Sequence, residues 1–252
     1  MTDRYVDVDW PAPARVRTRM TTRFGGVSGG AYRSFNLALH CGDDPTAVAA
    51  NRERLARDGV PRVAWLEQVH GIDVVDGGDA IGVPRADASF TRSTEVACAV
   101  MVADCLPVLI CDRTASVVAA AHCGWRGLAH GVLTALIERL GAPPRSLLAW
   151  LGPAIGSARY EVGADVREAF LAARGREAVD VGFAPVGTPR ADGSPTWRAD
   201  LAALARTELN GLGLGSIFGS GLCAYDDARF YSYRRDGTTG RMAAVIWLSD
   251  RD

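Results

Sequence analysis

Short runs of apolar residues recur along the chain and alternate with longer amphipathic stretches. A run of about four to eight apolar residues bounded by turn-forming residues is typical of a buried β-strand. By this criterion, strands or extended segments are predicted at 16–22, 62–69, 72–75, 96–102, 106–111, 116–121, 147–151, 215–219 and 243–248. Gly71 separates the extended segments 62–69 and 72–75.

The longer stretches carry their apolar residues at helical spacing. Helices are predicted at 45–58, 126–140, 163–174 and 199–211. In the first helix, Asp44 is the predicted N-cap and Pro45 is the first helical residue. The Asp side chain can accept a hydrogen bond from a free backbone N–H of the first turn, and proline has no N–H that needs a partner there. The predicted cap of the last helix is Asp200 or its neighbour. The second helix has one apolar face, formed by Val132, Leu133, Leu136, Ile137 and Leu140.

This mixture of strands and helices predicts an α/β or α+β fold, with mixed layered sheets flanked by helices. At about 100–200 residues per domain, we expect residues 1–252 to form a single domain. The Pro- and Gly-rich stretch 184–198 is predicted to be a long surface loop. The chain has no apolar run long enough to span a bilayer, and its N-terminus lacks the apolar core of a signal peptide, so we expect a cytoplasmic protein.

The composition narrows the available chemistry. Lys plus Arg number 28, and all of them are Arg. Schiff-base lysine chemistry and a Walker-A phosphate loop are therefore excluded, because both need an ammonium group. The formal net charge of −1 argues against a general nucleic-acid-binding protein. In a cytoplasmic protein the six cysteines are expected to be thiols, metal ligands or nucleophiles.

Two histidines and one cysteine stand where apolar runs end. His70 and His122 each follow such a run and precede a glycine or near-glycine, and Cys105 follows another run and precedes Leu106-Pro107. Two imidazoles and a thiolate suit a catalytic zinc with one position open, and they also suit copper. By spacing alone, an ordinary role for the three residues in the core is favoured over a metal site. The cysteines expected to be small core residues are Cys98, Cys111 and Cys223, and Cys123 should point away from its neighbour His122.

Several polar phrases surround these residues in the sequence. The stretch 21–30 is rich in glycine and contains Arg23, so it suits either an anion site or a plain loop. His40 suits either a loop or a site, whereas His130 is expected on a helix surface. The stretch 231–241 is aromatic and basic, which suits stacking on a base or sugar, or else a hairpin that turns at Asp236-Gly237.

A set of phrases is spread over nearly the whole chain: TTRFGGVSGGAYRSFNLALHCGDD, NRERL, QVHG, ADASFT, ADCLPVLICD, HCGWRG, LGPAIG, YEVG and YSYRRDGTTGR. Together these phrases resemble the YfiH family, also called the multicopper polyphenol oxidase or laccase-domain family and the peptidoglycan editing factor family. ADCLP followed by HxGWRG is the most specific part of the match. The resemblance implies a mixed, layered α/β fold similar to cysteine hydrolases of the cytotoxic necrotizing factor type.

The resemblance also implies a zinc-dependent enzyme of purine nucleoside metabolism. Family members are described as phosphorolysing adenosine, inosine, guanosine and methylthioadenosine, and as deaminating adenosine. The implied metal ligands are His70 in QVHG, Cys105 in ADCLP and His122 in HCGWRG. This chain departs from the family pattern twice, with Cys123 where Ala is usual and Ala224 where Thr is usual.

On this basis we predict the residues and partners of the site. The catalytic set is the three metal ligands together with Asp104, and Asp87 and Glu67 are competing carboxylates for proton transfer. Guanidinium groups suit phosphate because they bind two oxygens at once. The predicted substrate-binding residues are Arg23, Asn36, Arg52, Gln68 and Arg126. The expected partners are purine nucleosides and phosphate, with no nucleic acid and no membrane, and the expected assembly is a monomer or small homo-oligomer.

Three other functional classes stay open at the sequence level. Cys105 suits a thiolate nucleophile that acts on an amide of a peptidoglycan precursor. The site also suits copper and phenol oxidation, although four histidines in the whole chain are few for a multicopper enzyme. Finally, a zinc ion suits a binding module that has no catalytic activity, in which case the metal coordination would be closed.

Overall fold

The computed structural model describes residues 4–187 and 193–250. The strands in these ranges are Tyr5–Val6 (β1), Val16–Thr21 (β2), Arg62–Ala64 (β3), Val74–Asp76 (β4), Ala88–Thr91 (β5), Val96–Val102 (β6), Leu106–Asp112 (β7), Val118–Cys123 (β8), Leu147–Leu151 (β9), Glu161–Gly163 (β10), Phe183–Val186 (β11), Thr196–Ala199 (β12), Ser216–Gly219 (β13) and Met242–Leu248 (β14). The α-helices are Pro45–Arg57 (α1), Trp125–His130 (α2), Val132–Leu140 (α3), Ala164–Gly182 (α4), Leu201–Gly211 (α5) and Tyr233–Asp236 (α6).

Two mixed sheets pack face to face, and helices cover their outer sides. One sheet has the strand order β1-β2-β14-β6-β3, and the other has the order β13-β9-β7-β8-β5-β4. Apolar side chains of β6 and β14 meet those of β7, β8 and β9 between the sheets. Helices α2 to α5 pack on the far side of the second sheet, and α1 packs on the far side of the first. These four layers confirm the predicted mixed α/β fold.

The central strands are buried throughout because helices or a second sheet cover both of their faces. Every residue of β6, β7 and β8 is buried, which explains why their sequences are continuous apolar runs without alternation. β7 pairs antiparallel with both β8 and β9. The loops and strand ends at one edge of this region therefore carry the polar residues that the buried strands exclude.

The predicted strands at 96–102, 106–111 and 147–151 and the helices at 45–58 and 199–211 are confirmed to within two residues. Asp44 caps α1 by accepting a hydrogen bond from the backbone N–H of Thr46, at 2.9 Å. Asp200 caps α5 in the same way, through the N–H of Ala203.

The single helix predicted over 126–140 is wrong. Gly131 separates α2 from α3 with a φ of 101°, in the left-handed region that glycine adopts without steric cost. The helix predicted at 163–174 continues to Gly182, although Gly175 interrupts it with a φ of 80°.

Two predicted loops also differ from the structure. The ends of the stretch 184–198 form parts of β11 and β12, which pair antiparallel, and residues 188–192 lie outside the described part of the chain. The hairpin expected at Asp236-Gly237 is instead the end of the one-turn helix α6, which Ser232 caps through the N–H of Arg235. Sequence analysis also missed the short strands β1, β5 and β10.

Among the described helices, none combines the length and the apolar character needed to cross a membrane.

Candidate metal centre and the surrounding cavity

His70, Cys105 and His122 come together at the edge of the second sheet. Their ligand atoms all lie within 4.8 Å of one another. His122 is near the end of β8, Cys105 is in the bend between β6 and β7, and His70 is in the loop between β3 and β4. The two imidazole rings have centroids 4.8 Å apart and meet edge to face at 64°. Residues 35 and 17 positions apart in sequence thus form one cluster.

Asp87 forms hydrogen bonds to two of the three candidate metal ligands, to the ring of His122 and to the backbone of His70. Its carboxylate is fully buried, and Oδ1 lies 2.7 Å from His122 Nδ1. The same carboxylate accepts backbone hydrogen bonds from Val69, His70 and Gly71. Burial by itself raises the pKa of Asp87, but the hydrogen bond and charge of His122 and these backbone donors hold it below its usual value. An ionised Asp87 accepts the proton on His122 Nδ1, which leaves His122 Nε2 available to a metal.

The three side chains fit a bound cation. Burial lowers the pKa of His122, but Cys105 and Asp87 raise it to about 9, so positive charge is favoured between them. Burial and then the charge on His122 lower the pKa of His70, which favours the neutral imidazole that a metal requires. His70 Nδ1 is buried and has no hydrogen-bond partner within the described residues.

Gly124 leaves the space that a metal needs beside this unpartnered nitrogen. A Cβ at that position would lie 2.3 Å from His70 Nδ1 and 3.3 Å from Cys105 Sγ. Together with two imidazoles and a thiol, the open space matches a three-ligand site of the kind that catalytic zinc uses. The residues present therefore fit the metal that the sequence analysis predicted, while the ligand set alone also suits copper.

The remaining cysteines stand apart from this cluster. All six are free thiols. Cys98, Cys111 and Cys123 are fully buried in apolar cores, as predicted, and Cys123 faces the helices rather than the triad. Cys223 is only half-buried and accepts a hydrogen bond from the backbone N–H of Gly156 at 3.2 Å, so its assignment to the core was wrong.

The triad opens into a cavity of about 560 Å³. Three arginines line it, and their guanidinium groups lie near aromatic rings: Arg126 is 4.4 Å from Trp125, Arg234 is 5.3 Å from Tyr160 and Arg241 is 6.0 Å from Tyr233. Within residues 4–187 and 193–250, none of these three guanidinium groups pairs with a carboxylate. Arg234 and Arg241 each donate through Nη1 to backbone carbonyls. The cavity therefore combines flat apolar surfaces with positive charge that no carboxylate of the described residues neutralises.

Asp104 and Gln68 also line the cavity, as does the predicted Arg126. Asp104 Oδ2 accepts a hydrogen bond from the backbone N–H of Arg234 at 2.6 Å, and Oδ1 is buried without a partner in the described structure. Burial raises the pKa of Asp104. It lies in a bend with a φ of 86°, so the alternation of side chains along a strand does not separate it from Cys105. Gln68 exchanges two hydrogen bonds with the backbone of Met101.

Arg23, Asn36 and Arg52 are not among the residues that line this cavity. Arg23 stacks over Tyr231 at 4.8 Å, and Arg52 stacks over Trp65 at 4.0 Å. Burial lowers the pKa of Arg52 to about 10. Substrate contact by these three residues stays a prediction.

Asn36 is fully buried and joins two segments that reach the cavity. Its Oδ1 accepts from the backbone N–H groups of Arg241 and Ala38, at 2.8 and 3.1 Å. Its Nδ2 donates to Ala38 O and to Asp43. This geometry gives Asn36 a role in positioning Arg241 and the turn that carries His40.

Asp87 and Glu67, the two alternatives to Asp104 for proton transfer, do not line the cavity. The hydrogen bonds described above engage Asp87 fully, which leaves it no free oxygen for a substrate. Glu67 has an exposed side chain 3.8 Å from Arg85 and does not line the cavity. Among the three carboxylates, only Asp104 faces the space beside the triad.

Sequence reasoning missed several residues of the cavity wall. His40, Tyr160 and Trp125 line it, and so do Tyr233, Arg234 and Arg241. The last three belong to the aromatic and basic stretch 231–241, whose composition was the signal for them. His40 carried no spacing signal, because its own loop brings it to the cavity.

The geometry defines a layered α/β protein with a His-Cys-His group at a sheet edge that could hold a metal ion. The chain matches the family model described as "Multi-copper polyphenol oxidoreductase laccase" over residues 17–249, and it belongs to that family. A Pseudomonas aeruginosa protein named purine nucleoside phosphorylase is 51% identical over 243 residues, which cover 96% of this chain and 97% of that protein. The Escherichia coli purine nucleoside phosphorylase YfiH is 48% identical, with 95% and 96% covered.

Solved structures of relatives have the same fold. A Neisseria meningitidis protein superposes with a TM-score of 0.92 at 50% identity, over 98% of this chain and 100% of that chain. YlmD from Geobacillus stearothermophilus superposes with a TM-score of 0.83 at 33% identity, over 96% and 94% of the two chains. The family suggested by the sequence phrases is thereby confirmed.

Proposed function

We propose that this chain is a zinc-dependent purine nucleoside phosphorylase, which cleaves adenosine, inosine, guanosine and methylthioadenosine. One observation carries the proposal: the His-Cys-His triad, several aromatic rings and three guanidinium groups without a carboxylate partner in the described part of the chain line the same cavity. The names of the relatives from Pseudomonas aeruginosa and Escherichia coli support the same reaction.

The positive charge of the cavity suits phosphate. Arg126, Arg234 and Arg241 line it, and a guanidinium group binds two phosphate oxygens through parallel hydrogen bonds. We therefore keep Arg126 as a phosphate contact, and we add Arg234 and Arg241. Trp125 and Tyr160 provide flat surfaces on which a purine stacks.

His70, Cys105 and His122 would hold the zinc ion. The bound ion supplies a Lewis acid that stabilises negative charge developing on a substrate oxygen. Asp87 keeps the ring of His122 in place and holds the loop of His70 through its backbone. Zinc is favoured over a multicopper centre because His130, the one histidine that lies outside the cavity, leaves only three imidazoles at the site.

A second activity, deamination of adenosine, is favoured by Asp104. Its Oδ1 is unpartnered in the described structure and belongs to a residue that lines the cavity beside Cys105. Deamination at a purine carbon requires a carboxyl group that moves protons next to the metal site. Asp104 is the carboxyl group with that location.

Product analysis of the purified protein tests both activities. Adenosine, inosine, guanosine and methylthioadenosine are incubated with the zinc-loaded protein, with and without phosphate, and the products are separated by chromatography. Release of free base and sugar 1-phosphate only when phosphate is present is the expected result. Release of base without phosphate would instead indicate a hydrolase, and failure to release base would overturn the proposal. Conversion of adenosine to inosine reports the deaminase activity separately.

A matched variant tests the role of the metal. His122→Ala is expected to lose zinc and both activities while the fold is kept, because His122 supplies one ligand and the sheet core around it is independent of the ion. His130→Ala is the control, since His130 is exposed at the end of α2. Full turnover by a zinc-free His122→Ala protein would show that the metal is not needed.

A further inference from the structure

His40 is a third imidazole in the cavity, outside the metal triad. It lines the cavity together with His70, His122 and Arg241, and the residue as a whole is exposed. Within the described residues, its ring makes no hydrogen bond, unlike that of His122. The ring is therefore free to exchange protons with a bound molecule.

The turn that carries His40 is held rigidly from both sides. The side-chain amide of Asn36 donates to Ala38 O and accepts from the backbone N–H of Ala38. Tyr32 donates its hydroxyl to Cys41 O at 2.7 Å. The backbone on either side of His40 is thus fixed, which positions the imidazole, and the ring nitrogens have no hydrogen-bond partner within the described residues.

The charges around His40 favour its neutral form. Loss of hydration lowers the pKa of His40, and the positive charges of Arg241, His122 and Arg52 lower it further. These groups belong to three separate parts of the fold: Arg241 precedes β14, His122 is in β8 and Arg52 is in α1. A neutral imidazole carries one N–H and one bare nitrogen, so it accepts a proton on one side and donates from the other.

Phosphorolysis needs a proton relay of this kind. An oxygen of hydrogenphosphate forms a bond to C1′ of the ribose, and the C1′–N9 bond breaks with its electron pair leaving on the purine. The products are a neutral purine and a sugar 1-phosphate dianion, so the proton of hydrogenphosphate must reach a purine nitrogen. A group that accepts and donates in the same step completes the transfer without a net gain or loss of protons.

We propose that His40 is the catalytic residue that relays this proton from phosphate to the departing purine. The inference rests on the proposed phosphorylase function. His40 lies beside Arg241, one of the phosphate contacts, and it borders the same cavity as the aromatic rings.

Several other titratable groups of the cavity have roles or surroundings that differ from those of His40. His70 and His122 belong to the metal triad. Asp104 receives the backbone N–H of Arg234, and burial raises the pKa of Tyr160 so that its phenol stays protonated. Asp104 lies beside Cys105 and is the carboxyl group assigned above to deamination. Among the described residues that line the cavity, His40 is the imidazole outside the metal triad, and an imidazole accepts a proton on one nitrogen and donates from the other.

The experiment compares two nucleosides whose purines differ in their need for a proton. The hypoxanthine of inosine leaves as an anion unless it is protonated, whereas the cationic base of 7-methylinosine leaves as a neutral molecule. The variants His40→Gln and His40→Asn are assayed with both substrates at saturating phosphate. His130→Gln is the matched control, because His130 is exposed and does not line the cavity. Zinc content is measured on the same preparations.

The expected result is a loss of about 10²- to 10⁴-fold in kcat on inosine for both His40 variants. We expect the loss on 7-methylinosine to stay within about 10-fold, because no proton needs to reach the base, and zinc content to match the wild type. An equal loss on both substrates, or unchanged turnover of inosine, would overturn the proposal. Loss of zinc in either His40 variant would also overturn it, because His40 would then act through the metal site.

The same assays distinguish a failure of the proposed phosphorylase function from a failure of the role proposed for His40. If the wild-type protein releases no base from inosine in the presence of phosphate, the phosphorylase function itself is wrong, and the role of His40 is wrong with it. If the wild type is active and the His40 variants respond equally on both nucleosides, only the role of His40 is wrong.

Discussion

Gly124 stands so close to the His-Cys-His triad that a single added methyl group tests the metal centre. Gly124 has φ −68° and ψ 159°, an extended conformation that alanine adopts without strain. The effect of Gly124→Ala therefore comes from space alone. The new Cβ would lie 2.3 Å from His70 Nδ1 and 2.8 Å from His70 Cε1.

The size of the displacement follows from these contacts. Non-bonded heavy atoms settle at about 3.5 Å or more, so the ring of His70 must move by about 1 Å. Metal–ligand distances tolerate only about 0.2 Å, and the moved ring no longer reaches the position that Cys105 and His122 define. Lesser disturbances around a metal ligand already weaken metal affinity by about 10- to 100-fold, and we expect Gly124→Ala to lose at least that much.

Zinc titration against a competing chelator measures this loss, and thermal unfolding of the apoprotein checks the fold. Gly29→Ala is the control, because Gly29 has an ordinary φ of −102° and no atom lies within 4 Å of the place that an added methyl group would take. Equal zinc affinity of Gly124→Ala and the wild type would refute the reasoning, since the methyl group and a bound ion would then share one space.

Four further substitutions test other parts of the structure. Asp87→Asn removes the charge that orients His122, and zinc titration should show a loss of affinity of about 10- to 100-fold; an unchanged affinity would contradict that role. Arg241→Ala should raise the KM for phosphate more than about 10-fold and Arg23→Ala less than about 2-fold, and the reverse order would return the phosphate site to Arg23. Asp112→Ala should cost about 2–4 kcal/mol in urea unfolding, because buried N–H groups after β7 lose their acceptor.

The Asp112 prediction has a defined pH dependence. Burial raises the pKa of Asp112, but hydrogen bonds from Thr114, Val117 and Ser116 outweigh it and hold the pKa below the usual 3.8. A carboxyl group whose pKa is lower in the folded protein than in the unfolded chain stabilises the fold at pH values above its pKa in the unfolded chain. This stabilisation disappears as the pH falls through the lower pKa of the folded protein. The difference in stability between wild type and Asp112→Ala should therefore shrink below about pH 3.8. A constant difference down to pH 2 would contradict this assignment.

The sequence by itself determined the buried strands and singled out the three residues that the fold brings together as a candidate metal centre. β6 and β7 are continuous apolar runs because both faces are covered, and such runs are readable without knowing their partners. Asp44 and Pro45 marked the start of α1 because helix capping is a local interaction. His70, Cys105 and His122 stood out since polar, metal-binding side chains directly follow or precede buried runs.

Other features depended on contacts between distant residues. The apolar periodicity of 126–140 continues through Gly131, and only the backbone turn at that glycine separates α2 from α3. β11 and β12 lie in a sequence rich in proline and glycine, and they are strands because they pair with each other. Pairing energy from a partner strand overrides weak local propensity.

Tertiary structure also decided which polar residues face the cavity. Arg23, Arg52 and Arg241 are chemically equivalent in sequence, and each lies in a phrase shared with the family. The fold turns Arg23 toward Tyr231 and Arg52 toward Trp65, while it directs Arg241 and His40 to the space beside the triad. A side chain's direction depends on the path of the whole chain, so local sequence named the chemistry and the packing of four layers selected the residues that can use it.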